Sequence, residues 1–309
     1  MELRQLRYFV AIVDHGSLSR AAGILHVAQP ALTQQLRQLE DELGAQLLHR
    51  SATGVTATDA GKVFYEHAQA ILKQVTDAKS AVVQSTTRPS GSVTLGFPHS
   101  ISGALALPLL MAVREQYPEI TLQLTEEISG NLTEQLKSGR INLAVLFDDG
   151  QLSHFDTTTL IEEDMMFICR AGSPRRPRHA DLTLAQALDS TLILPAQQQG
   201  VRPRIENVAR AQGLLLRHVI EINSIAILKS ALLADIGATI LPLAPVQAEV
   251  EAGQLQAYPI HSPAISRTVA LCSSRNIPLT NAAQAVRQLV HAVTRQLCTD
   301  GHWRGARLL

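Results

Sequence analysis

The chain has 309 residues, 46% apolar and 17% charged, with 27 lysines and arginines against 27 aspartates and glutamates. That is the composition of an ordinary globular protein long enough for two or three domains, and its even charge balance argues neither for nor against a nucleic-acid partner. The charged opening MELRQLRYFV lacks the apolar run of a signal peptide, and no stretch of about eighteen uncharged apolar residues follows, so a cytoplasmic location without membrane contact is expected.

Leu6, Phe9, Val10 and Val13 share one face of a first predicted helix, which Gly16 ends. A short second helix follows at once. Ser17 or Ser19 can cap it, and Leu18, Ala21, Ala22 and Leu25 form its apolar stripe. After the turn Val27-Ala28-Gln29, Pro30 sits where a first helical turn tolerates a missing N–H, and Leu32, Leu36, Leu39 and Leu43 recur at helical spacing. Thr33, Gln34 and Arg37 must then point away from the core. A short helix, a tight turn and a third helix with an exposed polar face make the helix-turn-helix pattern, whose second helix enters the major groove of double-stranded DNA. Periodicity alone fits a three-helix bundle with a merely solvated polar face equally well.

The next segment favours the groove. Residues 46–50 and 55–58 are short runs around Ser51-Ala52-Thr53-Gly54 and predict a two-stranded hairpin. Directly after a recognition helix such a hairpin is a wing, able to lay Arg50 and threonines against phosphate. Asp59-Ala60-Gly61 then opens a long helix in which Phe64, Ala68, Ile71, Val75, Ala78 and Val82 are spaced 4, 3, 4, 3, 4. That heptad seam calls for a partner helix from a second subunit, the alternative being a long helix lying on its own domain.

The cluster Arg88-Pro89-Ser90-Gly91-Ser92 marks a domain boundary, after which short β-branched runs alternate with amphipathic stretches. Strands are predicted at residues 93–97, 120–125 and 143–147, with helices at about 104–117 and from Ser129 to Gly139. This βαβαβ order implies a parallel sheet whose ligands sit beyond the strand ends, at helix starts. Ser100, Ser102, Ser129 and Asn131 lie in those turns and offer groups to an anion or polar molecule, although each serine equally suits a simple cap. A second α/β unit begins near Asp164. Its predicted strands cover residues 165–169, 191–194, 218–222 and 237–242, with helices at 201–211 and from Asn223-Ser224 to Asp235. A strand at 268–273 and a last helix at about 281–297 return to the first unit. Two α/β lobes joined by two crossings form a hinged cleft.

Nothing along the chain carries a catalytic signature. Gly54 and Gly61-Lys62 miss the phosphate-loop pattern because Val63 stands where Ser or Thr should coordinate magnesium. There is no GxGxxG, HExxH or GxSxG, and the eleven histidines are scattered. Cys169, Cys272 and Cys298 form no CxxC pair, and the first two sit in apolar strands, which suits reduced packing thiols. No metal, cofactor or enzymatic activity is expected.

The ordered series Leu6-Arg7-Tyr8-Phe9, Gly16-Ser17-Leu18, Ala21-Ala22, Leu25, Gln29-Pro30-Ala31-Leu32, Gln35-Leu36, Leu39-Glu40, Leu43-Gly44, Leu47-Leu48, Arg50 and Thr58-Asp59-Ala60-Gly61 resembles the LysR-type transcriptional regulators. So do SGNLTEQLKSGRINLAV and IGATILP in the second half. Leu48 stands where that family usually has Phe, Ala57 where Leu is common, and Asn142 where Asp is usual, the last expected to remove a polar contact. LHVAQPAL and GVTATDAG are similar to the nitrogen assimilation control proteins, a closer likeness that fades after residue 90. A periplasmic solute-binding protein resembles residues 90–309 alone and leaves the first 85 unexplained.

The resemblance implies a winged helix-turn-helix at 1–60, a dimerising linker helix at 61–88 and an effector-binding domain at 89–309. That domain would be bilobed like type 2 periplasmic solute-binding proteins, lobe I covering about 92–163 and 267–309 and lobe II about 164–266. It places Gln29, Pro30, Ala31, Thr33, Gln34, Arg37, Arg50 and Thr58 on DNA, and Phe64, Ala68, Ile71 and Val75 on the dimer helix. The effector would meet Ser100, Ile101, Ser102, Ser129, Asn131 and Phe147 on one lobe and Gln198, Arg202, Asn223 and Ser224 on the other. Implied partners are double-stranded DNA, a small polar or carboxylate effector, further copies of the chain in a homodimer or homotetramer, and RNA polymerase. A regulator that acts without ligand, set by its expression level, is the alternative.

Overall fold

A computed structural model describes residues 1–51, 54–83, 88–177, 182–196 and 200–309. The chain divides into two units, Met1–Val83 with Ser138–Arg140 and Gln84–Lys137 with Ile141–Leu309.

In the first unit α1 (Leu3–His15), α2 (Leu18–Ile24) and α3 (Gln29–Leu43) precede a hairpin of β1 (Leu48–Ser51) and β2 (Gly54–Ala57), and α4 (Asp59–Val83) follows. Leu6, Phe9 and Ile12 of α1 meet Ala21 and Ala22 of α2 and Leu32, Leu36 and Leu39 of α3 in one core. Burial of each large side chain there contributes about 1.5–3 kcal/mol. Gly16 closes α1 with φ 60°, a left-handed conformation that disfavours side chains. Its carbonyl accepts from Val55 N–H at 2.9 Å, which pins the hairpin to the first interhelical turn. Ser17, not Ser19, caps α2, accepting from Arg20 N–H at 3.4 Å. Glu40 Oε1 accepts from the N–H groups of Leu47 (2.8 Å) and Leu48 (3.2 Å) and fixes α3 to the hairpin. Tyr65 on α4 donates to Asp14 on α1, and burial together with that carboxylate pushes its phenol up to about 12.

The second unit has two lobes. Lobe I begins with β3 (Gly91–Phe97), α5 (His99–Gln116), β4 (Ile120–Glu126), α6 (Ser129–Lys137) and β5 (Leu143–Asp148), and β6 (Phe155–Asp164) leads out of it. Lobe II comprises β7 (Met166–Arg170), β8 (Leu182–Thr183), α7 (Leu184–Leu188), β9 (Leu192–Leu194), α8 (Arg202–Ala211), β10 (Val219–Glu221), α9 (Ile225–Leu233), β11 (Thr239–Leu241), α10 (Gln247–Glu251) and β12 (Leu255–Ser262). The chain returns to lobe I through β13 (Ser266–Ser274), α11 (Asn281–Thr299) and β14 (Ala306–Leu308). Lobe I carries a six-stranded sheet in the order β14-β6-β13-β5-β3-β4, in which β3 runs parallel to β4 and β5 while β13 runs antiparallel to β5 and β6. Lobe II carries a four-stranded sheet, β11-β7-β12-β8, and the parallel pair β10-β9. Each lobe has its own core, Leu105, Leu109, Val286 and Val290 packing on Val93, Leu95 and Val269 in the first, and Ile168, Ile193, Ile205, Leu232 and Ile240 in the second.

Three departures from expectation follow from local chemistry. α5 starts at His99, five residues before the expected start at 104, because the extended Pro98 (ψ 147°) serves as its N-cap residue; Ser100 and Ser102 therefore lie in its first turn. β6, β12 and β14 have no predicted counterpart. β6 reads FDTTTLIEED, too polar to show an apolar alternation, and is held by ladders to β13 on one side and β14 on the other. Asn142 keeps a polar contact, since its Oδ1 accepts from Thr94 N–H at 2.9 Å as a carboxylate would. Among the described residues no helix is long and apolar enough to cross a membrane.

Candidate functional site

The polar edge of α3 begins at Gln29, and Gln29, Pro30, Ala31, Gln34 and Arg37 are exposed while Thr33 is half-buried. Their outward placement follows from Leu32, Leu36 and Leu39 filling the core from the opposite face. Ser19 donates to Gln29 Oε1 at 2.9 Å, which steadies the amide at the start of the helix. Arg50 is exposed on β1, opposite Val55 of β2. Thr58 is half-buried, and its hydroxyl donates to Gln46 O (2.8 Å) and accepts from Gly61 N–H (2.9 Å), so it also caps α4.

The long helix α4 corrects the heptad seam. Phe64 packs edge-on against Phe9 with ring centroids 5.2 Å apart, and Ala68 is fully buried in the winged core. Those two positions serve the chain's own domain. Val75 is half-buried, whereas Ile71 (38% exposed) and Val82 (87%) remain open, joined by Val63 (61%), which the heptad spacing missed. Burial on the own domain and burial on a partner produce the same spacing, so the sequence pattern could not separate them.

The second unit holds a cavity of about 90 Å³ between its lobes. Its lobe I wall includes Pro98, His99 and Ser100 at the start of α5, Glu127 and Ile128 before α6, Ser129 at its first position, Phe147 near the end of β5, and Arg267 on β13. Lobe II contributes Pro195, Val201, Ile222, Asn223, Ile225, Leu228 and Leu241. Of the expected effector residues, Ser100, Ser129, Phe147 and Asn223 therefore line one space.

The others do not. Ile101 is fully buried in the lobe I core. Ser102 donates to His99 O at 3.2 Å, and Asn131 donates its amide to Glu127 Oε2 at 3.1 Å. Ser224 caps α9, accepting from Ile227 N–H at 3.4 Å. Arg202 is neither solvated nor in the cavity wall. Its guanidinium is buried between Glu206 (2.8 Å) and Glu221 (2.6 Å) and donates to Pro195 O (3.2 Å). Burial opposes its charge, yet the two carboxylates outweigh that cost and raise its pKa. Gln198 lies outside the described residues.

Among the wall residues that sequence reasoning missed, Arg267 carries the positive charge. It is 4% exposed, its Nε and Nη2 each reach Glu163 Oε2 at 2.7 Å, and Nη2 also donates to Ser100 Oγ at 3.0 Å. The guanidinium carbon stands 3.9 Å from the centroid of the Phe147 ring. Burial lowers the arginine's pKa against the pull of the adjacent Glu163 carboxylate. Glu163, 1% exposed, accepts on its other oxygen from the indole N–H of Trp303 at 2.9 Å. Cys169 and Cys272 are buried, and burial pushes both thiols up to about 11, which keeps them protonated at neutral pH. Among the described residues no group of three or more His, Cys, Asp or Glu side chains could hold a metal ion.

Comparison with known proteins adds an independent line. The pattern of bacterial regulatory helix-turn-helix proteins of the lysR family matches residues 3–62, and that of the LysR substrate binding domain matches residues 86–295. The chain is 36% identical to the nitrogen assimilation regulatory protein nac of Escherichia coli (strain K12) over 294 residues, 95% of each chain. Among solved structures it is similar to a full-length OxyR variant from Pseudomonas aeruginosa, with 22% identity, a TM-score of 0.70 and coverage of 96% of this chain and 95% of that one. It is also similar to CbnR, described as a LysR family transcriptional regulator, with 22% identity, a TM-score of 0.69 and coverage of 95% and 99%.

Proposed function

The chain belongs to the LysR family of DNA-binding transcription regulators, and from that membership we propose that it reads its operator with α3 and the β1–β2 wing and answers to a small molecule held between its two lobes. The cavity between the lobes carries the sensing half: hydroxyls of Ser100 and Ser129, the Asn223 amide and the Arg267 guanidinium meet apolar side chains from both sides. A few polar groups on a mostly apolar wall suit a small carboxylate or other polar metabolite better than a large hydrophobe. A ligand that touches both lobes favours their closed arrangement only through its differential affinity for it.

Binding rather than catalysis is supported by Ser100, whose hydroxyl is held by Arg267; His99 Nδ1 instead lies 2.7 Å from Glu126 Oε1. The protein works in the cytoplasm as a dimer or tetramer, and the open apolar positions Val63, Ile71 and Val82 on α4 are where a second copy would seat. Ligand-driven movement of the lobes then changes how paired winged units are spaced on the operator.

Two experiments test this. Arg50→Ala is expected to weaken binding to operator and random DNA alike, with a salt slope smaller by about one, because it removes a phosphate contact. Thr33→Ala and Gln34→Ala change operator preference instead, and unchanged preference and affinity in both would remove α3 from the groove. In the second experiment, Ser100→Ala combined with Ser129→Ala abolishes the effector response while basal operator binding persists. A ligand-responsive protein that keeps its response in that double variant senses elsewhere, and a wild type insensitive to every metabolite tested favours the ligand-independent alternative.

A further inference from the structure

The Arg267–Glu163 pair joins two structural roles. Arg267 and Glu163 face each other in register on β13 and β6, the strands through which the chain leaves and re-enters lobe I. The same guanidinium lines the cavity. Nε and Nη2 are engaged by Glu163 and Ser100, whereas Nη1 has no hydrogen-bond partner among the described residues. A buried ion pair is expensive to desolvate and is weak evidence for stability in itself. Its location in the cavity wall, with one donor unspent, is the feature that calls for a ligand.

Building on the cleft reading above, the geometry points to Arg267 as the residue that reads the effector's charge, its open Nη1 receiving the single carboxylate of a small and otherwise apolar monocarboxylate. Three observations set that class. Arg267 has only Nη1 left to offer an anion, Glu127 adds negative charge to the wall, and His99 is already turned to Glu126, so a second carboxylate on the ligand would be buried without a cationic partner. Beyond the polar end, the ligand's remaining atoms face Ile222, Ile225, Leu228 and Leu241 of lobe II, which favour a short hydrocarbon tail. The space of about 90 Å³ is smaller than the cavity of about 150 Å³ that takes benzene, so the tail is a few carbons long. A neutral amide could fill the same volume but would give up the charge-assisted bond to the guanidinium. Because Arg267 stands on a hinge strand and the tail rests on lobe II, one small ligand would bridge both sides of the hinge.

Butyrate, succinate and butyramide separate these terms when tested against the full-length protein by thermal unfolding at fixed ionic strength. Butyrate is expected to raise Tm, with succinate and butyramide at least tenfold weaker. Arg267→Gln/Glu163→Gln removes both charges together, leaves no lone buried ion, and should weaken butyrate at least tenfold while erasing its advantage over butyramide. If that pair does not fold, Arg267→Lys tests the forked donors alone: lysine keeps the charge opposite Glu163, and butyrate is expected to weaken at least tenfold, wild-type affinity overturning the assignment. Succinate or butyramide binding as well as butyrate, no Tm shift with any of the three, or a double variant with wild-type butyrate affinity would each overturn the assignment to Arg267 while leaving the cleft reading in place. Ile225→Trp, which fills the lobe II side, tests that reading separately: butyrate stabilisation undiminished in this variant would put the site outside the cleft and overturn both.

Discussion

Gly61→Ala is expected to abolish operator binding and to cost the winged unit about 3 kcal/mol of stability. Gly61 stands in the first turn of α4, where the helix presses on the chain entering the hairpin. A β-carbon added there would lie 2.0 Å from Leu47 O and 3.0 Å from Leu47 C, with Thr58 Oγ1 at 3.3 Å. The obstacle is backbone, so no side-chain rotation relieves it. Leu47 O is also the acceptor for Thr58 N–H at 2.9 Å, and Leu47 N–H is held by Glu40 of α3, so displacing Leu47 disturbs the cap of α4 and the junction of recognition helix and wing together. Urea unfolding of the full-length protein and titration of operator DNA read the two effects. Wild-type values for both would mean that α4 and the residue 47 carbonyl do not approach closely.

Much of the first unit was legible because one apolar stripe per helix dictates which side faces in. Leu32, Leu36 and Leu39 leave Gln34 and Arg37 no place but the surface. The same logic failed on α4, where Phe64 and Ala68 keep heptad spacing yet fill their own core against Phe9. In lobe I the βαβαβ alternation was legible, but β6 was not, since a strand stabilised by ladders on both edges needs no apolar alternation of its own. Site residues divided in a similar way. Ser100, Ser129 and Asn223 were found because they open helices or turns beside strand ends. Arg202 was expected on the effector from its place at a helix start, but Glu206 one turn on and Glu221 approaching from β10 make it a buried strut. Arg267 and Glu163 are 104 residues apart, and no local pattern announces that strand register will set them face to face.

That register gives the second large effect. Glu163→Ala is expected to destabilise the effector unit by about 3–5 kcal/mol, the cost of stranding a buried cation. Arg267 is 4% exposed and loses the carboxylate that pairs with it, keeping Ser100 Oγ and the face of Phe147, neither of which carries compensating charge. Trp303, 1% exposed, loses the acceptor of its indole N–H at the same time. The loss should therefore reach the C-terminal segment, where β14 pairs with β6 beside Glu163 through Ala306. A lower urea midpoint with an unchanged slope would report the loss of stability, and faster hydrogen exchange in β14 would locate it. The neutral pair Arg267→Gln/Glu163→Gln should recover most of that stability, because the penalty comes from the unpaired charge and not from the absence of a salt bridge. If Glu163→Ala unfolds at the wild-type midpoint, water or another acceptor reaches Arg267, and the pair is not the sealed hinge contact described above.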